Sequence, residues 1–168
     1  EQLQELDALF TRRSQLVAML TAEKNRLSSS PKPVRRDIQH HILWLEKRIE
    51  EINNTLKGRI RESPLWREKD ELLRSVPGVG PVFSASLLAK LPELGTIRAK
   101  KISALAGVAP LNCDSGKHRG KRIIWGGRAS LRSALYMATL SAIRCNPVIQ
   151  TFYQRLIGAG KIKKVAIT

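Results

Sequence analysis

The sequence predicts a mainly α protein. An antiparallel coiled-coil hairpin is expected over residues 1–62, followed over 63–168 by a compact helical domain with a helix-hairpin-helix and one small β-hairpin as an option. Three observations carry this. Ile38, Ile42, Leu45, Ile49, Ile52 and Leu56 are spaced 4, 3, 4, 3, 4, a heptad seam. Pro77-Gly-Val-Gly80 separates two helical runs. Elsewhere Pro and Gly cluster between periodic stretches, where they end helices.

Taken in order, residues 2–29 read as a helix with Leu6, Phe10, Val17, Leu20 and Leu27 on one seam, interrupted by Arg13 and Lys24. Ser28-Ser-Ser-Pro-Lys-Pro33 breaks it. The heptad helix follows, and two helices joined by a short turn form an antiparallel pair. Its apolar stripe is wide for a lone hairpin, so self-association is expected; a rigid spacer packed on its own domain is the alternative. His40 and His41 are followed by Ile, Leu, Trp and Leu, so neither has a metal-type partner one turn on.

A short helix is expected over 64–76, and a second from Pro81 to about Lys90, with Pro81 in the first position. Between them, Gly78 and Gly80 permit a tight turn. Amides opening the second helix can hold a DNA phosphate without reading sequence. An ordinary helical turn is the competing reading. Residues 98–106 form a further helix with Ala99, Ile102, Leu105 and Ala106 inward. Val108-Ala-Pro110 and Arg122-Ile-Ile-Trp125 are candidate paired strands, which makes 112–121 a hairpin tip or a mobile loop. A long helix over 128–145 has Leu131, Leu135, Ala138, Ala142 and Cys145 on one face. Asn146 is placed to cap the next helix, to Gly158, and a last helix starts near Lys161.

Charge limits the partners. The chain has 30 Lys and Arg against 14 Asp and Glu, a net +16. Residues 61–168 hold 19 bases and 6 acids, and after Glu93 the only acid is Asp114. A polyanion, most simply DNA, is the expected partner of this half, with a membrane surface the runner-up. No apolar run reaches membrane-spanning length, and two cysteines make no disulfide framework, so a cytoplasmic setting is expected. Eight aromatic residues offer little for single-strand stacking. Glu1 at the start and an apolar run at the end suggest a piece of a longer protein.

The chemistry centres on Gly107–Arg122. Ser115, followed by Gly116, sits among Lys117, Arg119, Lys121 and Arg122, with Asp114 and His118 close by. A hydroxyl ringed by cations suits attack on a phosphodiester, where charge builds on the phosphoryl oxygens. A basic loop touching DNA backbone is the plainer reading. His118 is a candidate base or a loop histidine at phosphate; Asp114 could order the loop or cap a turn. Gly78, Gly80, Arg128 and Arg132 complete the expected DNA-binding set. Cys113 and His118 make a poor metal pair, and no acid cluster could hold Mg²⁺, so no metal site is expected.

The run Ser75-Val-Pro-Gly-Val-Gly-Pro81, Leu91-Pro-Glu-Leu-Gly95, Ala104-Leu-Ala-Gly-Val-Ala-Pro110, Ser115-Gly116, Arg119-Gly120, Ala134-Leu-Tyr-Met-Ala138 and Asn146-Pro147 resembles the C-terminal half of the bacterial insertion-sequence "one-ten" transposases, relatives of the Piv-type DNA invertases. The resemblance runs from about Leu72 to the last residue. It implies a coiled coil between two catalytic domains and an acidic, Mg²⁺-binding RuvC-like domain that these residues lack. It implies Ser115 as the nucleophile of a composite site, forming a phosphoseryl-DNA intermediate. It also implies a homodimer or higher assembly, a nucleoid-associated setting and, in some members, a guide RNA. On this reading the chain alone binds DNA without turnover. A non-enzymatic dimeric DNA-binding module is the alternative.

Overall fold

A computed structural model describes residues 2–112, 114–116, 118–120 and 122–168, with His118 and Arg119 described by backbone alone. The protein is mainly α. It divides into two compact units, Glu1–Arg67 and Glu68–Thr168.

The first unit holds α1 (Gln2–Ser29) and α2 (Lys32–Glu62), packed along their length. Cross-helix pairs fix an antiparallel sense: Glu5 with Arg59 at 2.7 Å, Arg13 with Asn53 at 2.7 Å, and Lys24 with Glu46 at 2.7 Å. Leu6, Phe10 and Leu16 of α1 are buried, as are Ile42, Leu45, Leu56 and Ile60 of α2. Each fully buried leucine contributes roughly 1.5–3 kcal/mol. The expected seam is present, with Ile38, Ile49 and Ile52 half-buried. In α1, however, Leu16 is buried while Val17 is only half-buried. An α-helix drifts about 20° per heptad, so the inward position slides to a neighbouring residue. Pro33 does not belong to the break. It lies in the first turn of α2, where its missing N–H costs nothing.

The helix α3 (Pro64–Arg74) spans the division between the units. The second unit continues with α4 (Pro81–Lys90), α5 (Ala99–Ala106), β1 (Pro110–Leu111), β2 (Asp114–Ser115), β3 (His118–Arg119), β4 (Ile123–Ile124), α6 (Ala129–Cys145), α7 (Pro147–Gly158) and α8 (Lys163–Ile167). Its core gathers Leu87 and Leu91 at the end of α4, Ala106 of α5 and Leu131 of α6. Leu73, Phe83, Leu94, Ile102, Leu105, Val108 and Leu135 pack around them. Two expectations are corrected. Ala99 is exposed, because it is the first helical residue and lies before the buried turn. Cys145 is exposed at the last residue of α6, its Sγ directed to the carbonyl of Ser141 at 3.3 Å.

Candidate functional site

The serine stretch forms a hairpin standing between α5 and α6. Its lower rungs pair Pro110 with Ile124 and Leu111 with Ile123, in antiparallel register. Its upper rungs pair Asp114 with Arg119 and Ser115 with His118. Ser115 therefore lies next to the apex. Gly116 follows it at φ +54°, the left-handed geometry that two-residue hairpin turns favour. Ser115 is exposed. Asp114 accepts a 2.7 Å hydrogen bond and ion pair from Arg122 across the hairpin. Its carboxylate thus ties β2 to the residue before β4, where a local turn cap is one expectation.

The feet of the hairpin are held by several contacts. Gly107 ends α5 at φ +72°, and Gly127 has φ +66°. Their backbones are in such close approach that a Cβ on Gly127 would collide with the Gly107 backbone and lie 2.8 Å from the Leu105 carbonyl oxygen. A Cβ on Gly107 would meet the Gly126 carbonyl oxygen and the Arg132 guanidinium. The Arg128 amide donates to the Leu105 carbonyl at 2.9 Å. From α6, Arg132 Nη1 donates to the Gly126 carbonyl at 2.7 Å and reaches that of Gly107 at 3.4 Å. Arg128 makes a fork with Glu93 at 2.8 and 2.6 Å and donates to the Lys90 carbonyl at 2.6 Å. The Arg128 hydrogen bonds hold the Glu93 carboxyl down to about 2.

The Pro-Gly-Val-Gly turn is the second feature. Gly78 takes φ +102°, and a Cβ there would sit 2.6 Å from Ala142 Cβ, so the turn packs directly on α6. Gly80 caps α4 with open space around it. Asn146 does two things. Its Oδ1 accepts from the Val148 and Ile149 amides at 3.1 and 3.3 Å, the expected cap of α7. Its Nδ2 donates to the Pro77 carbonyl at 3.2 Å, which ties the turn to the α6–α7 junction. Sequence reading found the cap from Asn-Pro but had no signal for the 69-residue reach to Pro77.

The expected site residues thus fall into groups. Ser115, Arg122 and the Arg119 backbone share the hairpin; Arg128 and Arg132 lie at its base; Gly78 and Gly80 belong to the turn beside α6. Lys117, Lys121 and Cys113, with the Arg119 and His118 side chains, lie outside the described residues. Among the described residues, no group of three or more His, Cys, Asp or Glu is placed to hold a metal ion. No helix there is long and apolar enough to cross a membrane.

Residues 70–154 match the family described as Transposase IS116/IS110/IS902. The chain is 28% identical over 137 residues to the insertion element IS116 uncharacterized 44.8 kDa protein of Streptomyces clavuligerus, covering 78% of this chain and 32% of that one. It is 35% identical over 95 residues to the insertion element IS900 uncharacterized 42 kDa protein of Mycobacterium paratuberculosis, covering 54% and 24%. The chain thus spans a third or less of the relatives it matches.

Proposed function

The chain belongs to the IS116/IS110/IS902 transposase family, and from that premise we propose that it is the DNA-binding, serine-bearing part of a transposase that cleaves and exchanges DNA strands. The observation that carries this is Ser115, exposed beside the apex of a hairpin whose feet are locked, within the span matched by the family. Ser115 Oγ attacks the scissile phosphorus and loses its proton. The bond from phosphorus to the leaving sugar oxygen breaks, and that oxygen takes up a proton. A phosphoseryl-DNA linkage remains. Attack by a hydroxyl of the incoming strand then releases the serine, so the phosphodiester is conserved without a high-energy cofactor. His118, whose backbone pairs with Ser115 in register, is a candidate proton acceptor within this chain, with a loop histidine at phosphate as the alternative.

Charge compensation falls to Lys117, Arg119, Lys121 and Arg122, which follow the serine within seven residues. The turn at Gly78 and Gly80 works as a helix-hairpin-helix, with the α4 amides on DNA backbone. The Mg²⁺ implied by the family resemblance would be held by acids of a separate domain. The α1–α2 hairpin, a coiled coil, joins copies into a homodimer or higher assembly. In the cell the protein works at the nucleoid in the bacterial cytoplasm, with target choice by a guide RNA in keeping with some members of the family resembled.

The test compares Ser115→Ala with the unaltered full-length transposase. Recombination is lost and DNA affinity is retained on this reading. Equal loss of both would make Ser115 a phosphate clamp. That second reading, a dimeric binding module, has the open Gly80 helix start in its favour.

A further inference from the structure

The hairpin carrying Ser115 has short ladders, two residues on each strand at each level. Isolated pairing of that size does not hold a side chain in place. Leu111, Ile123, Ile124 and Trp125 are all exposed, so the hairpin gains little from burial. Its orientation is therefore set at the base, where four groups converge. Gly107 and Gly127 touch backbone to backbone. Arg132 bridges both feet through the carbonyls of Gly107 and Gly126. Arg128, the residue next to Gly127, is anchored by its amide to α5 and by its guanidinium to Glu93 and the end of α4. Two cations expected from the sequence to bind DNA thus bond protein oxygens, Arg128 through both terminal nitrogens and Arg132 through Nη1.

We propose that Arg128 and Arg132, with Glu93, are positioning residues that fix the Ser115 hairpin for attack, and that they do not contact DNA. The proposal rests on the reading of Ser115 as nucleophile. Its physical basis is the cost of misplacement: a shift of about 1 Å at a reacting group lowers rate by about a hundredfold. Arg132 is suited to the task because its rigid guanidinium plane holds one nitrogen, Nη1, against both carbonyls, whereas a lysine ammonium is a flexible, strongly hydrated point charge.

The experiment uses the full-length transposase and follows three quantities in Arg128→Gln, Glu93→Gln and Arg132→Lys. These are the rate of Ser115-linked DNA adduct formation, the affinity for the same DNA across a salt series, and hydrogen exchange over residues 107–128. Positioning predicts that Arg128→Gln and Glu93→Gln act in the same direction, because each breaks the same pair. Adduct formation falls by about tenfold or more, as for a modest displacement. DNA affinity and its salt slope stay unchanged, and exchange quickens over 107–128 but not over α7. Arg132→Lys shows the same split although it keeps the charge.

A DNA-contact role predicts the reverse. Arg128→Gln would weaken binding and lower the salt slope by about one, Glu93→Gln would tighten binding, and Arg132→Lys would be mild. That pattern overturns the proposal. A general folding role would lower affinity and rate together and also overturns it. Should Arg128→Gln fail to fold, Glu93→Gln breaks the same contact with a smaller change. If the unaltered protein forms no adduct, the serine reading falls. The clasp is then judged by hydrogen exchange alone: quickened exchange in all three variants upholds it, and unchanged exchange refutes it.

Discussion

Gly107 and Gly127 are pressed together at the foot of the serine hairpin, each with positive φ and neither with room for a Cβ. One backbone contact thereby joins the end of α5 to the start of α6 and sets where the 110–124 hairpin emerges.

The first prediction follows from that contact. Gly127→Ala combines a left-handed φ, costing about 1–2 kcal/mol for an L-residue, with a collision against the Gly107 backbone. It should lower the melting temperature and the urea midpoint clearly. Gly58, inside α2 with nothing near it, is the contrast. Gly58→Ala should stabilise by roughly 0.5–1 kcal/mol through helix propensity. Thermal and urea melts of the two variants check both signs.

Acid should loosen the clasp. Glu93 has its carboxyl held at about 2 by Arg128, below its ordinary value of 4.5. A depressed carboxyl contributes stability that is complete above its unfolded value and fades as pH falls through the folded one. The stability gap between the unaltered chain and Glu93→Gln should therefore be full at neutral pH and shrink between about 4.5 and about 2. Melts at a series of pH values read it; a gap independent of pH would count against the pair.

In the helical hairpin, Arg13 Nε donates to Asn53 Oδ1 at 2.7 Å, and burial pulls the arginine pKa down. Asn53→Ala leaves the guanidinium half-buried without that acceptor and should cost about 1–3 kcal/mol. Replacing both residues by leucine should be near neutral, since both polar groups are then gone. Urea unfolding of the single and double variants checks this.

Self-association is predicted to use the outward apolar residues of the first unit. Met19, Leu43 and Trp44 are exposed there, with Leu43 63% accessible. Leu43→Glu with Trp44→Glu should shift sedimentation from dimer to monomer while helicity is kept. A monomeric unaltered protein would remove the coiled coil as the joining element.

Much of the fold was legible because its signals are local. The 4-3-4-3-4 spacing marks α2, Pro81 marks the start of α4, and Asn146-Pro147 marks the α6–α7 junction. What escaped depends on contacts distant in sequence. Leu16 replaces Val17 in the seam because the helical period drifts. The pairing of Arg128 with Glu93, 35 residues away, leaves no trace in composition. A cation reads the same whether it meets phosphate or carboxylate. Ser115 was legible as a hydroxyl amid cations, but its place beside the hairpin apex came only with the register of β2 and β3.

The most direct measurement incubates the full-length transposase with labelled recombination-site DNA and Mg²⁺. The denatured products are digested and the DNA-linked peptide is identified. The account predicts a covalent adduct on the peptide containing Ser115, absent from Ser115→Ala. Strand exchange that proceeds with no protein-linked DNA would contradict it, and would assign the attack to water or to a sugar hydroxyl.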